Sequence, residues 1–164
     1  MSRYYANASI EIDAPIETVW AVMHDLPRYH EWNPFIVDIA GIDDAPPTSQ
    51  IGARLLLDIR MVNDKALRCW ETVTHVEAPA HDDAEQHTAL LVYRYASWPA
   101  QLGLVQAGRR QSLTQQRNMP TIYLSEETFH GILSPFLPLA GVRDGFQRHA
   151  QALKQRAEAL VANR

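Results

Sequence analysis

The chain has 164 residues, 46% of them hydrophobic and 21% charged, with a formal net charge of −4 and a single cysteine. A chain this long buries roughly two-thirds of its unfolded surface, so it needs no metal or disulfide to stay folded, and Cys69 alone excludes an internal disulfide. The acidic balance argues against a nucleic-acid partner. Arg109-Arg110, the densest basic cluster, reads as solvated strand or loop charge.

The first residues, Met1 to Asn7, lack the apolar region of a signal peptide, and no apolar run approaches the ~20 residues of a membrane span. A cytoplasmic location without stable membrane insertion is the expectation. From Tyr4 to Asp13 the chain alternates, with Ala6, Ala8, Ile10 and Ile12 on one side, as in a half-buried antiparallel strand. Asp13 is placed as the N-cap of a helix with Pro15 in its first turn and an apolar stripe of Ile16, Val19, Trp20 and Met23. Pro27 breaks that helix, and Arg28 to Trp32 forms a second short turn that Asn33-Pro34 ends.

Extended structure resumes from Phe35 to Ile42, and residues 43–50 form a polar loop. Ala53, Leu55, Leu57, Ile59 and Met61 then alternate along a strand, which pairs through the Asn63-Asp64 turn with a strand from Ala66 to about Val76. Residues 80–88 read as a polar hairpin loop before an apolar strand, Ala89 to Tyr95. Residues 97–108 mix Trp98, Pro99, Leu102 and two glycines and fit no period. Arg109 to Asn118 is a polar strand, Met119-Pro120 a turn, and Thr121 to His130 the last strand. A long helix from about Ser134 to Val161 carries Phe146, Ala150, Leu153, Ala157 and Leu160 on one face, its start weakened by Gly141 and Gly145. Strands run together with helices segregated to the ends, which implies one α+β domain over residues 1–164 with an antiparallel sheet of about seven strands.

Four stretches carry a family resemblance: Ile10 to Trp20 (IEIDAPIETVW), Asp25 to Phe35 (DLPRYHEWNPF), Thr72 to Pro79 (TVTHVEAP) and Ser125 to Leu133 (SEETFHGIL). Together they resemble the START/Bet v1-like (SRPBCC) superfamily, in particular the bacterial polyketide cyclase/dehydrase and lipid-transport-like proteins. Met119-Pro120 departs from that pattern, standing where many relatives carry a glycine-rich turn. The resemblance implies a helix-grip fold, in which a curved sheet wraps a long C-terminal helix and leaves a ligand cavity between them. It also implies a small hydrophobic ligand as partner: a lipid, a polyketide-like molecule or an aromatic metabolite. On that basis Leu55, Leu57, Ile59 and Met61 form a cavity wall and Phe146, His149 and Leu153 its lid. Trp32, Trp70, Tyr93, Trp98 and Tyr123 supply broad apolar faces with polar handles, and Trp98 gates the cavity from its irregular loop.

No sequence signature of catalysis stands alone: there is no G-x-S-x-G elbow and no glycine-rich phosphate loop, and no cofactor is implied. His75, His81, Asp82, Asp83 and His87 fit no compact zinc spacing and read as a solvated hairpin tip, so no metal is expected. His24 suits the end of the first helix. Glu126 and Glu127, adjacent on a strand, must point to opposite faces. The inward one is a candidate ligand anchor or general base, or else a structural partner of Arg68, Arg94 or Arg117. Three functions stay open: a binder or carrier of a hydrophobic molecule, a cyclase, aromatase or hydrolase acting in the same cavity, and an interaction module with a collapsed cavity. Apolar inner strand faces favour the first. Oligomeric state is not encoded in any motif.

Overall fold

A computed structural model describes residues 4–42, 46–80 and 85–163. Seven strands form one antiparallel sheet: β1 (Tyr4–Ile12), β2 (Ile36–Ala40), β3 (Arg54–Arg60), β4 (Ala66–Glu77), β5 (Gln86–Tyr95), β6 (Gln106–Gln116) and β7 (Thr121–His130). Their order is β1-β7-β6-β5-β4-β3-β2, so the first strand closes against the last and the two edges are β1 and β2. Between them run α1 (Ile16–His24), a 3-10 turn (Leu26–Arg28) and α2 (Tyr29–Trp32). Register shifts between Val73 and His75 and between Ile36 and Asp38 are bulges that increase the local twist and curl the sheet. The concave face holds α4 (Leu139–Ala162), giving the helix-grip architecture.

The start of α1 differs from the expectation. Pro15, not Asp13, takes the N-cap position, and it offers no side-chain cap. The free N–H of Ile16 donates instead to Gln115 Oε1 of β6 at 3.0 Å, while the Asp13 N–H donates to Glu158 of α4. Tertiary partners thus replace the local cap.

Three boundaries also move. The polar loop at residues 80–88 is shorter than its composition suggests, because Gln86 to Thr88 pair with β6. His81, Asp82 and Asp83 lie outside the described residues, as do positions 43–45 of the earlier loop. Residues 97–108 resolve into the single helical turn α3 (Trp98–Gln101), a loop, and the first residues of β6. Residues 134–138 form a separate 3-10 turn, Ser134–Phe136, before α4 starts at Leu139. Pro135 and Pro138 impose that break, since neither can donate a backbone hydrogen bond. Gly131 makes the turn out of β7 with φ 107°, and a Cβ there would meet the Leu104 carbonyl oxygen at 2.5 Å.

The buried face of α4 is Gly145, Phe146, His149, Ala150, Leu153 and Ala157, spaced for one side of a helix. Leu160, expected on that face, is 40% exposed and lines the surface concavity beside Val22 and Trp32. Gly145 lets α4 approach β2: a Cβ there would fall 2.1 Å from the Phe35 ring. The glycine that lowers helix propensity is therefore needed for packing.

Candidate functional site

Alternation along β4 to β7 decides what faces α4. The inward positions are Cys69, Glu71 and Val73 on β4 and Leu91 and Tyr93 on β5. They continue as Arg109, Gln111 and Leu113 on β6 and Tyr123, Ser125 and Glu127 on β7. The centre of the concave face is therefore polar, contrary to the expectation of apolar inner faces. Arg109 is 4% exposed and pairs in register with Tyr93 and Glu127, so only Arg110, its outward neighbour, is a solvated charge.

The Arg109 guanidinium lies over the Phe146 ring at 4.2 Å and donates through Nε to Ser125 Oγ at 3.0 Å. Its Nη2 reaches the Tyr123 hydroxyl at 3.5 Å, and that hydroxyl donates to Gln111 Oε1 at 2.7 Å. Among the described residues no carboxylate forms an ion pair with it. Glu71 and Glu127 act on it only from a distance. Burial pushes the Glu71 carboxyl up to about 7, with Arg109 opposing. Burial, and then the charge of Glu71, push Glu127 up to about 8, again against Arg109. Glu127 keeps some solvent contact at the margin of the cluster, while Glu71 is 7% exposed.

From α4, His149 completes the arrangement. Asn33 Oδ1 accepts the N–H groups of Phe35 and Ile36, each at 3.0 Å, which turns its Nδ2 toward His149 Nδ1 at 2.8 Å. Nδ2 can only donate, so Nδ1 accepts and the ring proton sits on Nε2. Burial and Arg109 hold the imidazole pKa well below its usual value, so it is neutral. The ring stacks on Tyr123 at 5.9 Å and meets Tyr29 and Trp32 edge-on. Asn33→Ala strips two buried N–H groups and an imidazole nitrogen of their partners, so a loss of roughly 3 kcal/mol in urea unfolding is expected. Full stability in that variant would show that the Asn33 amide does not hold the site.

Among the described residues, two buried polar atoms around this cluster, Gln111 Nε2 and His149 Nε2, find no hydrogen-bond partner, while Tyr93 Oη has only the neighbouring Tyr29 hydroxyl. Phe35 lies edge-on to Phe146 at 5.9 Å, and the Arg109 guanidinium faces both rings. Two concavities, of about 140 Å³ beside Arg28 and Trp32 and of about 420 Å³ around Gly108, lie outside this interior.

The structure brings together Leu55, Leu57, Met61, Tyr93, Tyr123, Phe146, His149 and Leu153, all buried, with Ile59 and Trp32 partly buried against them. Two aromatic candidates are elsewhere. Trp70 falls on the outer face under the Arg54 guanidinium, since Cys69 beside it takes the inward position. Trp98 is 64% exposed on α3. Glu127 faces inward; Glu126 faces outward and accepts from the Tyr5 hydroxyl at 2.8 Å. Among the described residues neither pairs with the arginines expected, because Arg68 binds Asp58, Arg117 binds Glu85, and Arg94 makes no ion pair. Glu71, Arg109, Gln111 and Ser125 were not read as site residues. Their signal was present in the alternations Ala107-x-Arg109-x-Gln111 and Tyr123-x-Ser125-x-Glu127.

This arrangement of sheet, helix and inward polar cluster defines a helix-grip protein of the Bet v1-like kind. Residues 6–88, just over half the chain, match the polyketide cyclase/dehydrase and lipid transport family, and the chain belongs to that family. Among solved structures it is similar to a hypothetical protein of Helicobacter pylori (TM-score 0.68, 13% identity, covering 97% of this chain and 88% of that one). It is also similar to a major latex-like protein of Panax ginseng (TM-score 0.64, 8% identity, 95% of each chain). A third is a Thalictrum norcoclaurine synthase in complex with a transition-state analogue (TM-score 0.60, 13% identity, 98% and 96%). At such identities the likeness is one of fold. No curated protein matches the sequence.

Proposed function

We propose that the protein binds a small, mainly apolar molecule bearing acceptor oxygens, carbonyl or phenolic, between the sheet and α4. One observation carries this reading: unpartnered buried groups converge around Arg109. Native proteins satisfy nearly all buried polar atoms, so two orphaned donors beside one guanidinium mark a place where something else supplies the partners. Gln111 Nε2, His149 Nε2 and the free edge of Arg109 are all donors, so the complementary group is an acceptor. The Phe35–Phe146 pair has to part for entry, and its rings then pack on the apolar body of the ligand.

A second reading is favoured by Glu71 and Glu127. Two carboxyls lifted toward neutrality beside a cation can hold one proton and release another, as a cyclase- or dehydratase-type reaction on such a molecule requires. The family's name covers both roles, and the likeness to a norcoclaurine synthase is compatible with either.

Native mass spectrometry of the purified chain, set against its denatured mass, tests the first reading. A bound organic mass of a few hundred daltons is expected on the order of the ligands that such pockets enclose. A bare chain that also fails to take up aromatic ketones or phenols added in excess would return the interior to a plain packed core.

A further inference from the structure

On the convex face of the sheet, the concavity of about 420 Å³ is set apart from the interior cluster. Arg94, Gly108 and Thr128 are in register across β5, β6 and β7, and Gln106 faces His130 one step further on. These are the outward positions of their strands, next to inward Tyr93, Arg109 and Glu127, and Tyr95 and Ala107, at inward positions, complete the lining. Gly108 contributes no side chain, so it leaves a trough between Arg94 and Thr128, and Ala100 of α3 forms its end wall. The side chains of Arg94, Gln106, Thr128 and His130 have no hydrogen-bond or ion-pair partner among the described residues, and no carboxylate lines the trough. On the same face of β7, Glu126 is engaged by Tyr5 and sits across from a further cation, Arg110. A chain of net charge −4 thus gathers unpaired donors from three strands around one concavity.

We propose that this trough is a second binding site, for a soluble small molecule carrying a phosphate group. Arg94 presents a planar fork of donors suited to a phosphate edge, and His130, Thr128 and Gln106 add donors from other directions. Donors arriving from three strands suit a tetrahedral oxyanion better than a flat carboxylate. The glycine floor lets the anion approach the backbone of β6, and the volume leaves room for the rest of an ester. The site shares no side chain with the interior cluster, so it stands whether or not the interior binds a ligand.

Titration of the full chain with inorganic pyrophosphate at constant ionic strength, followed by calorimetry and amide NMR shifts, tests the proposal. Saturable one-to-one binding is expected, with shifts centred on Gln106, Gly108 and Thr128. Arg94→Gln should weaken it about tenfold, the loss of one charge-assisted contact. Gly108→Val should abolish it by filling the floor. Gly108 has no positive φ, and a Cβ there meets only Tyr93 O at 3.8 Å, so the strand accepts valine. Arg54→Gln, which removes an exposed arginine held over Trp70, should leave binding unchanged. The absence of saturable binding, or an equal loss in Arg54→Gln, would overturn the site. Pelleting with phosphatidate vesicles without any pyrophosphate binding would overturn the assignment to a soluble ligand.

Discussion

Arg109→Met is expected to give a protein at least as stable as the parent that no longer retains the interior ligand. The guanidinium is 4% exposed and has no carboxylate at ion-pair distance among the described residues, so its desolvation is poorly compensated in the free protein. Methionine replaces the aliphatic part of the side chain and offers a flexible thioether to the Phe146 ring in place of the cation. Ser125 loses its partner and Tyr123 loses the long contact from Nη2, but Tyr123 keeps its bond to Gln111. Removing the cation also removes what holds Glu71 and Glu127 down, so both stay protonated and neutral at neutral pH. The unfolding free energy should therefore equal or exceed that of the parent by up to about 3 kcal/mol, as when a buried ionic group gives way to an apolar one. Over the same change the bound mass disappears from native spectra, whereas Arg110→Met on the outer face leaves it in place. A strongly destabilised Arg109→Met that still carries its ligand would reverse the assignment and make Arg109 structural.

That trade between stability and binding also explains which parts of the molecule were legible in the sequence. The fold was, because its signals are local and periodic: the alternation of β1 and β3, the proline breaks at Pro27 and Pro34, and the apolar face of α4. The quoted motifs then supplied the topology. The site was only half legible. Leu55, Leu57, Tyr93, Tyr123, Phe146 and His149, placed at the cavity by the family resemblance, are all buried in the interior. Arg109 and Gln111 lie in a strand polar on both faces, and composition alone assigns such a strand to solvent. Their burial follows from register, set by the pairing of β6 between β5 and β7, which is non-local. Asn33 and His149 are 116 residues apart, and no local pattern joins them. Trp70 was misplaced for the opposite reason: its bulk suggested the interior, but one step of strand period separates it from buried Cys69.

Stability should rise as the pH is lowered from about 8 toward 5, the reverse of what salt-bridged carboxylates produce. Glu71 and Glu127 have ordinary values of 4.5 in the unfolded chain and folded values of about 7 and about 8. Across that window the native state binds protons that the unfolded state has released, so the unfolding free energy falls with rising pH and levels off above the folded values. Each group contributes at most about 1.4 kcal/mol per pH unit. Glu127 has the larger shift, and the solvent contact it retains screens its charge and reduces its share toward that of Glu71. His149 works against them at the lower end. Its folded pKa is depressed well below 6.5, so below that pH the unfolded chain gains a proton the native state refuses. The gain on acidification should therefore be steepest between about 8 and 6.5 and flatter beneath. Asp58, lowered by Arg68, and Glu158, lowered by Lys154, are ionised in both states above about pH 6 and contribute no slope there, and Glu158 adds a small opposing slope only at about pH 5. Urea midpoints measured from pH 5 to 9 read this directly, and Glu71→Gln with Glu127→Gln should abolish the upper slope while leaving the His149 limb. A parent profile that is flat from pH 6.5 to 8, or a double variant that keeps the slope, would show both carboxyls to be ionised and solvated, and the interior cluster would then lose its proton store.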